Sequence, residues 1–217
     1  MISVNTFGRL RPGTVGQPIP GVEVRIAGDG EILVRGPNVM KGYYGDPEGT
    51  RAVLRGGFLA TGDIGHFDGD GFLSITDRKK DLLITSAGKN VPPQPIENAI
   101  RLSRYIANVI LFGDRKKYLT ALVVPDFEAL GPLAASLGLG GEPPAALASR
   151  PEIRALIETE IAAATAGFSE HERVRRFALL ERDFDQDHGE VTPTLKLRRR
   201  VVAEHFRTVI EAMYGSS

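Results

Sequence analysis

Thr76-Asp77-Arg78-Lys79-Lys80-Asp81-Leu82-Leu83-Ile84 is where the 217-residue sequence changes its grammar. Upstream, apolar and polar residues alternate in short runs separated by glycine-containing turns, the period-2 pattern of antiparallel strands. Val22-Glu23-Val24-Arg25-Ile26 and Glu31-Ile32-Leu33-Val34-Arg35 flank Ala27-Gly28-Asp29-Gly30, a hairpin whose glycines can supply positive φ. Ile64-Gly65-His66-Phe67 and Phe72-Leu73-Ser74-Ile75 flank Asp68-Gly69-Asp70-Gly71 and read as a second hairpin. That aspartate-rich turn lacks the ligand spacing and flanking helices of a calcium loop, so it reads as a plain turn.

Downstream, helical periodicity mixes with isolated strands. Ile96 to Leu102 reads as a short helix, preceded by Pro92-Pro93 and Pro95 as helix-incompatible residues. Val109-Ile110-Leu111-Phe112 and Leu119-Thr120-Ala121-Leu122-Val123-Val124 read as strands joined by the charged turn Asp114 to Lys117. Ile153, Leu156, Ile157 and Ile161 recur at helical spacing, and Val202, Phe206, Val209, Ile210 and Met213 do so in a last helix. Between them, Ser169-x-x-Glu172 has capping-box form and Phe177-Ala178-Leu179-Leu180 reads as a strand. Gly138 to Arg150, rich in Gly, Pro and Ala, reads as a surface loop or weak helix. The expected fold class is α+β: a small antiparallel β subdomain over residues 1–77, then an α+β domain over 78–217 with a small sheet covered by helices.

Composition narrows the chemistry. Lys plus Arg total 27 and Asp plus Glu total 27, so no net field draws in a polyanion, and nucleic acid is not an expected partner. The chain has no cysteine, which excludes a disulfide framework, a zinc-thiolate site and thiol nucleophilic catalysis. His66, His171, His188 and His205 lie far apart with no metal-ligand spacing, so no metal site is expected. No apolar run approaches the roughly 20 residues that span a bilayer, and the start lacks a signal segment. At most peripheral membrane contact and a cytoplasmic location are expected.

Three separated motifs carry a resemblance. They are Phe58-Leu59-Ala60-Thr61-Gly62-Asp63; Thr76 to Ile84, running on to Gly88 and Glu97; and Thr192-Pro193-Thr194-Leu195-Lys196. In this order they resemble the carboxyl-terminal motifs of the adenylate-forming superfamily, which includes acyl-CoA synthetases, peptide-synthetase adenylation domains and luciferases. Gly16-Gln17-Pro18-Ile19-Pro20-Gly21, Gly36-Pro37-Asn38-Val39-Met40-Lys41-Gly42-Tyr43-Tyr44 and Gly189-Glu190-Val191-Thr192-Pro193-Thr194 are similar to bacterial long-chain fatty acyl-CoA synthetases. The resemblance implies that residues 1–77 are the end of a large N-terminal AMP-binding domain and that 78–217 form a mobile lid with its hinge near 78–81.

The resemblance also implies roles. Asp63 matches a ribose-binding aspartate, although alone it reads equally as a turn residue; an ionised carboxylate can accept from the 2′- and 3′-hydroxyls together. Arg78 matches a nucleotide-contacting arginine, its fork of donors suiting ribose or phosphate oxygen, and alone it reads as half of a linker salt bridge. Lys80 matches the residue about which the lid turns. Gly88-Lys89-Asn90 matches a loop that borders the CoA pantetheine passage in the second half-reaction, and alone reads as a turn before Pro92. Lys196 matches the catalytic lysine: negative charge gathers on phosphoryl oxygens as a carboxylate attacks the α-phosphorus of ATP, and a flexible ammonium neutralises it. Relatives often carry a lysine directly after the isoleucine matched by Ile84, where this chain has Thr85. Arg198-Arg199-Arg200 reads as the solvated face of the last helix, with polyanion binding as the alternative.

The implied reaction adenylates a fatty carboxylate and then forms a thioester with CoA. ATP and CoA are substrates, and Mg²⁺ accompanies the triphosphate at a site outside these residues. The family's phosphate loop, its Y-G-x-T-E segment and its acyl pocket are not found in the sequence, so the chain is expected to be inactive without an N-terminal AMP-binding domain as partner. Delivery to a carrier protein and a non-catalytic interaction module are the alternatives.

Overall fold

The structure is a computed structural model that describes residues 1–194 and 196–215, so Leu195 of the third motif lies outside the described residues. The chain divides into two compact units, Met1–Leu82 and Leu83–Ser217.

The first unit comprises β1 (Ser3–Val4), β2 (Gln17–Pro18), β3 (Glu23–Ile26), β4 (Glu31–Arg35), α1 (Pro47–Val53), β5 (Leu54–Arg55), β6 (Phe58–Phe67) and β7 (Leu73–Arg78). Both expected hairpins form, β3 with β4 and β6 with β7. The ten-residue β6 is the organiser: β4 lies along one edge, while β5 and β7 share the other. Period-2 alternation turns Ile32 and Val34 inward onto Leu73, with Ile2, Val22, Val24, Ile26, Val39 and Phe67 closing a small core. The β6–β7 turn is held by the Asp68 carboxylate, which accepts from the backbone N–H groups of Asp70 and Phe72 and pairs with Arg11. Helix α1 was not evident in the sequence; Asp46 caps it, its carboxylate accepting from Gly49 N–H at 2.8 Å, with Pro47 at the first position.

The second unit comprises β8 (Leu83–Ile84), β9 (Asn90–Val91), α2 (Pro93–Ile100), β10 (Ile106–Phe112), β11 (Leu119–Pro125), α3 (Phe127–Ser136), α4 (Pro144–Ala148), α5 (Pro151–Ala164), β12 (Val174–Leu179), α6 (Arg199–His205) and α7 (Arg207–Gly215). Strand β11 is central, antiparallel to β10 and parallel to β12. Every residue of β11 is buried, which requires cover on both faces of the sheet. Alternation divides the two layers. Val109, Leu111, Leu119, Ala121, Val123 and Phe177 face α2, α3 and α5 through Ile96, Ile100, Leu130, Ile153, Ile157 and Ile161. Ile110, Phe112, Leu122 and Val124 face the opposite side, against Val202, Phe206, Ile210 and Met213 of the C-terminal helices. Full burial of one such Leu or Ile contributes roughly 1.5–3 kcal/mol relative to exposure.

Two expectations need correction, and one further helix was not expected. Helix α2 begins at Pro93, because the first-turn N–H groups have no intrahelical partner and a proline there forfeits nothing; Pro93 and Pro95 open the helix. The last helix is two: the chain turns at Phe206, whose ring packs edge-on against Phe184 with centroids 6.3 Å apart. Helix α3, with Pro132 inside it, fills a stretch the periodicity did not reveal. The Ser169–Glu172 capping box is present, on a 3-10 turn at Glu170–Glu172.

Candidate functional site

In the first unit, the structure brings Asp63 and Arg78 together. They are directly opposed in the β6–β7 register, and Arg78 Nε lies 2.7 Å from Asp63 Oδ1. The position of Asp63 off the β4–β6 ladder has a local cause. Between the pairs Leu33↔Ala60 and Glu31↔Ile64, β4 advances two residues while β6 advances four, so Thr61-Gly62-Asp63 bulges from the ladder. Gly62 supplies the left-handed bend at φ +72°. Thr61 Oγ1 donates to the carbonyl of Ile32 at 2.8 Å and accepts from Asp63 N–H at 3.1 Å.

Glu31 was not singled out in the sequence, yet its largely buried carboxylate organises this corner. One oxygen accepts from Gly62 N–H at 2.9 Å, and the other takes Lys79 Nζ at 2.7 Å. Lys79 also reaches Asp29 Oδ2 at 2.7 Å, and these partners raise its pKa and lower that of Asp29. The lysine beside the expected hinge is therefore tethered to the β3–β4 turn, while Lys80 lies exposed in the 3-10 turn Lys79–Asp81.

In the second unit, Gly88 and Lys89 close the short β8–β9 hairpin and Asn90 begins β9. Gly88 adopts φ +72°, and its N–H donates to the carbonyl of Thr85. The buried Thr85 is the staple of this loop: its N–H donates to Lys89 O at 3.0 Å and its hydroxyl accepts Lys89 N–H at 3.2 Å. The hairpin is also fastened to the β10–β11 turn. Ser86 N–H donates to Lys116 O at 2.9 Å, Arg115 N–H to Ile84 O at 2.7 Å, and Ile84 N–H to Asp114 Oδ1 at 3.2 Å.

Lys196 sits in a second backbone loop. Its rungs are Arg198 N–H to Glu190 O at 2.8 Å, the antiparallel bridge Val191↔Leu197, and Thr192 N–H to Lys196 O at 2.9 Å. Lys196 N–H returns to Thr192 Oγ1 at 3.0 Å, leaving the lysine itself exposed. At the loop base the Glu190 side chain has no solvent exposure. It accepts a bidentate fork from Arg182 at 2.7 and 2.8 Å, faces His205 Nδ1 at 3.0 Å, and accepts Asp185 N–H at 3.3 Å. These donors hold its pKa down at about 2, with Arg182 the largest cause.

Asp185, His188 and Glu190 bring three potential ligand atoms within 4.8 Å of one another. Glu190 is already committed to Arg182 and His205, and Asp185 to the ring and backbone of His188, so this donor set does not fit a metal ion.

The Arg198–Arg200 run is not one solvated face. Arg199 turns inward, where Nη1 donates to Glu97 Oε1 at 2.8 Å and to the carbonyl of Leu111, and Glu97 Oε1 in turn accepts Leu111 N–H at 2.7 Å. Arg198 donates to Gly189 O at 3.1 Å, and Arg200 is exposed. Arginine suits the inner position because its fork can serve a buried carboxylate and a strand carbonyl together.

Residues 80–217 match the family described as the AMP-binding enzyme C-terminal domain, and the chain belongs to that family. Over 215 residues it is 41% identical to a long-chain-fatty-acid–CoA ligase, FadD15, of Mycobacterium tuberculosis, covering 99% of this chain and 36% of that protein. The chain thus spans about a third of the length of the curated relatives it matches. Among solved structures it resembles the adenylation domain of a carboxylate reductase from Mycobacterium chelonae, with TM-score 0.72, 24% identity, and coverage of 95% of this chain and 33% of the other. It also resembles the o-succinylbenzoate coenzyme A synthetase of Bacillus subtilis in complex with AMP, with TM-score 0.59, 26% identity, and coverage of 88% and 35%.

Proposed function

We propose that this chain is the C-terminal part of an AMP-forming long-chain fatty acyl-CoA ligase. The observation that carries the reading is an exposed lysine held in a closed backbone loop, within a chain of this family that is 41% identical to such a ligase. In the first half-reaction a fatty carboxylate oxygen attacks the α-phosphorus of ATP and pyrophosphate leaves; Lys196 neutralises the phosphoryl oxygens. Asp63 orients the ribose and Arg78, its partner across the β6–β7 register, adds a donor to nucleotide oxygen. In the second half-reaction the CoA sulfur attacks the acyl carbonyl carbon, the thiol proton is given up, and AMP leaves. The Gly88-Lys89-Asn90 loop serves this step, and turning about Lys80 exchanges one arrangement for the other, so that one surface need not stabilise two transition states. Mg²⁺ supplies charge neutralisation to the triphosphate from a site outside these residues. The proposed reaction is a cytoplasmic one.

The sequence carries neither the family's phosphate-loop motif nor its Y-G-x-T-E segment, so an AMP-binding portion is the proposed partner. The test joins residues 1–217 to the AMP-binding portion of the mycobacterial relative and follows pyrophosphate and AMP release from ATP with a long-chain fatty acid. CoA-dependent AMP release that falls roughly a hundred- to a thousandfold in Lys196→Ala supports the reading. Pyrophosphate release with no CoA turnover would move it to a carrier-protein acceptor. Strong activity from the isolated chain would overturn the division of labour.

A further inference from the structure

Glu190 carries no assignment in the reading above, and its surroundings make a carboxylate an unexpected choice. Its side chain is fully buried, where an apolar side chain of similar volume would pack without desolvating a charge. Instead it gathers four donors from three places. Arg182 follows β12, Asp185 lies in the connecting loop, and His205 ends α6. Such bonds are directional in a way that apolar packing is not, and a bidentate fork fixes the carboxylate plane as well as its position. Glu190 is also the first rung of the lysine loop, its carbonyl accepting Arg198 N–H. Its side chain thus locks the base of a ladder whose last rung is Thr192 to Lys196.

We infer that Arg182, Glu190 and His205 form a positioning cluster that sets the Lys196 loop for the adenylation half-reaction. The inference rests on the role proposed for Lys196. Glu190 touches no reactant; it acts through the loop. Displacement of the lysine by about 1 Å is enough to lower the rate of the step it serves by about a hundredfold.

Two experiments test it. In the 217-residue chain, hydrogen exchange is compared between wild type and Glu190→Gln; the amides of Thr192, Lys196 and Arg198 are expected to exchange about tenfold faster or more, with those of β11 unchanged. In the joined ligase, Glu190→Gln is expected to lower kcat for pyrophosphate release about ten- to a hundredfold, leaving KM for ATP and fatty acid within about threefold. Thioester formation from supplied acyl-AMP stays within about threefold, and Glu190→Gln adds nothing to Lys196→Ala because both act on one group. A purely structural carboxylate would instead depress both half-reactions and multiply with Lys196→Ala.

Glu190→Gln with Arg182→Met removes the buried charge together with its half-exposed partner and guards against loss of folding; wild-type adenylation in that double variant overturns the inference. If Lys196→Ala collapses adenylation and Glu190→Gln does not, the inference falls and the ligase reading stands. If Lys196→Ala changes nothing, both fall.

Discussion

Replacing Glu97 by alanine should destabilise the C-terminal unit more than any exposed charge substitution in it. Glu97 Oε1 satisfies two donors: the N–H of Leu111, a residue with no exposure in β10, and Nη1 of Arg199, whose side chain is 25% exposed. Removing the carboxylate orphans a buried strand N–H, which costs roughly 1–3 kcal/mol. It also breaks a pair whose buried form is worth about 3–5 kcal/mol when one partner is lost. Arg199 retains the Leu111 carbonyl and reaches water, so the lower ends apply and the sum is about 4 kcal/mol. For a unit of this size that is about 14 °C in Tm. Glu97→Gln keeps an acceptor for Leu111 and should lose only about half as much. Urea unfolding of the 217-residue chain, followed by far-UV circular dichroism, measures each loss from the shift in midpoint. Arg199→Met combined with Glu97→Ala should recover at least about 1 kcal/mol of the single-variant loss. A loss below about 1 kcal/mol for Glu97→Ala would refute the assignment of Leu111 N–H and Arg199 to this one oxygen.

Glu190 gives a pH signature. Its folded pKa of about 2 lies below the ordinary glutamate value of about 4.3, so its stabilisation is fully present above the latter and lost as pH falls toward 2. Up to about 3 kcal/mol should drain away across that window in urea midpoints, with a flatter profile for Glu190→Gln. Gly62→Ala should cost about 1–2 kcal/mol, since its φ of +72° strains any L side chain although a Cβ there meets nothing within 4 Å; chemical denaturation checks it. Gly88→Ala meets the same strain at φ +72°, and in the joined ligase it should slow thioester formation more than pyrophosphate release. Asp63→Asn should change stability by less than about 1 kcal/mol, its ion pair with Arg78 being half exposed, yet weaken AMP binding about tenfold or more by calorimetry on the joined ligase.

Local features of the fold were legible where local physics decides them. The Asp-Gly turns and period-2 runs announced both hairpins, and Ile153, Ile157 and Ile161 announced the buried stripe of α5. Helix α3 escaped because Gly131 and Pro132 interrupt the apolar spacing, and Asp126 supplies the N-cap that compensates. The parallel β11–β12 pairing escaped because its partners lie about fifty residues apart, with nothing local to set their register. The same distance effect governs the sites. Asp63, Arg78 and Lys196 were singled out as motif residues, whereas Glu31 stood only in a strand, Thr85 only as a departure from relatives and Glu190 only inside a quoted stretch, since each draws its importance from backbone donors or distant side chains. Arg199 was misread for that reason: its partner Glu97 is 102 residues away.

The fastening of the Gly88 hairpin to the β10–β11 turn bears on redesign. Five main-chain groups, from Ile84 to Ser86 on one side and Asp114 to Lys116 on the other, share these three bonds, and only one of the three uses a side chain, that of Asp114. Changing the side chains of Lys89 or Asn90 would therefore repaint the loop without moving it. An engineer seeking a different thiol acceptor would gain more by lengthening or shortening the Gly113–Lys117 turn, the foundation on which the loop stands.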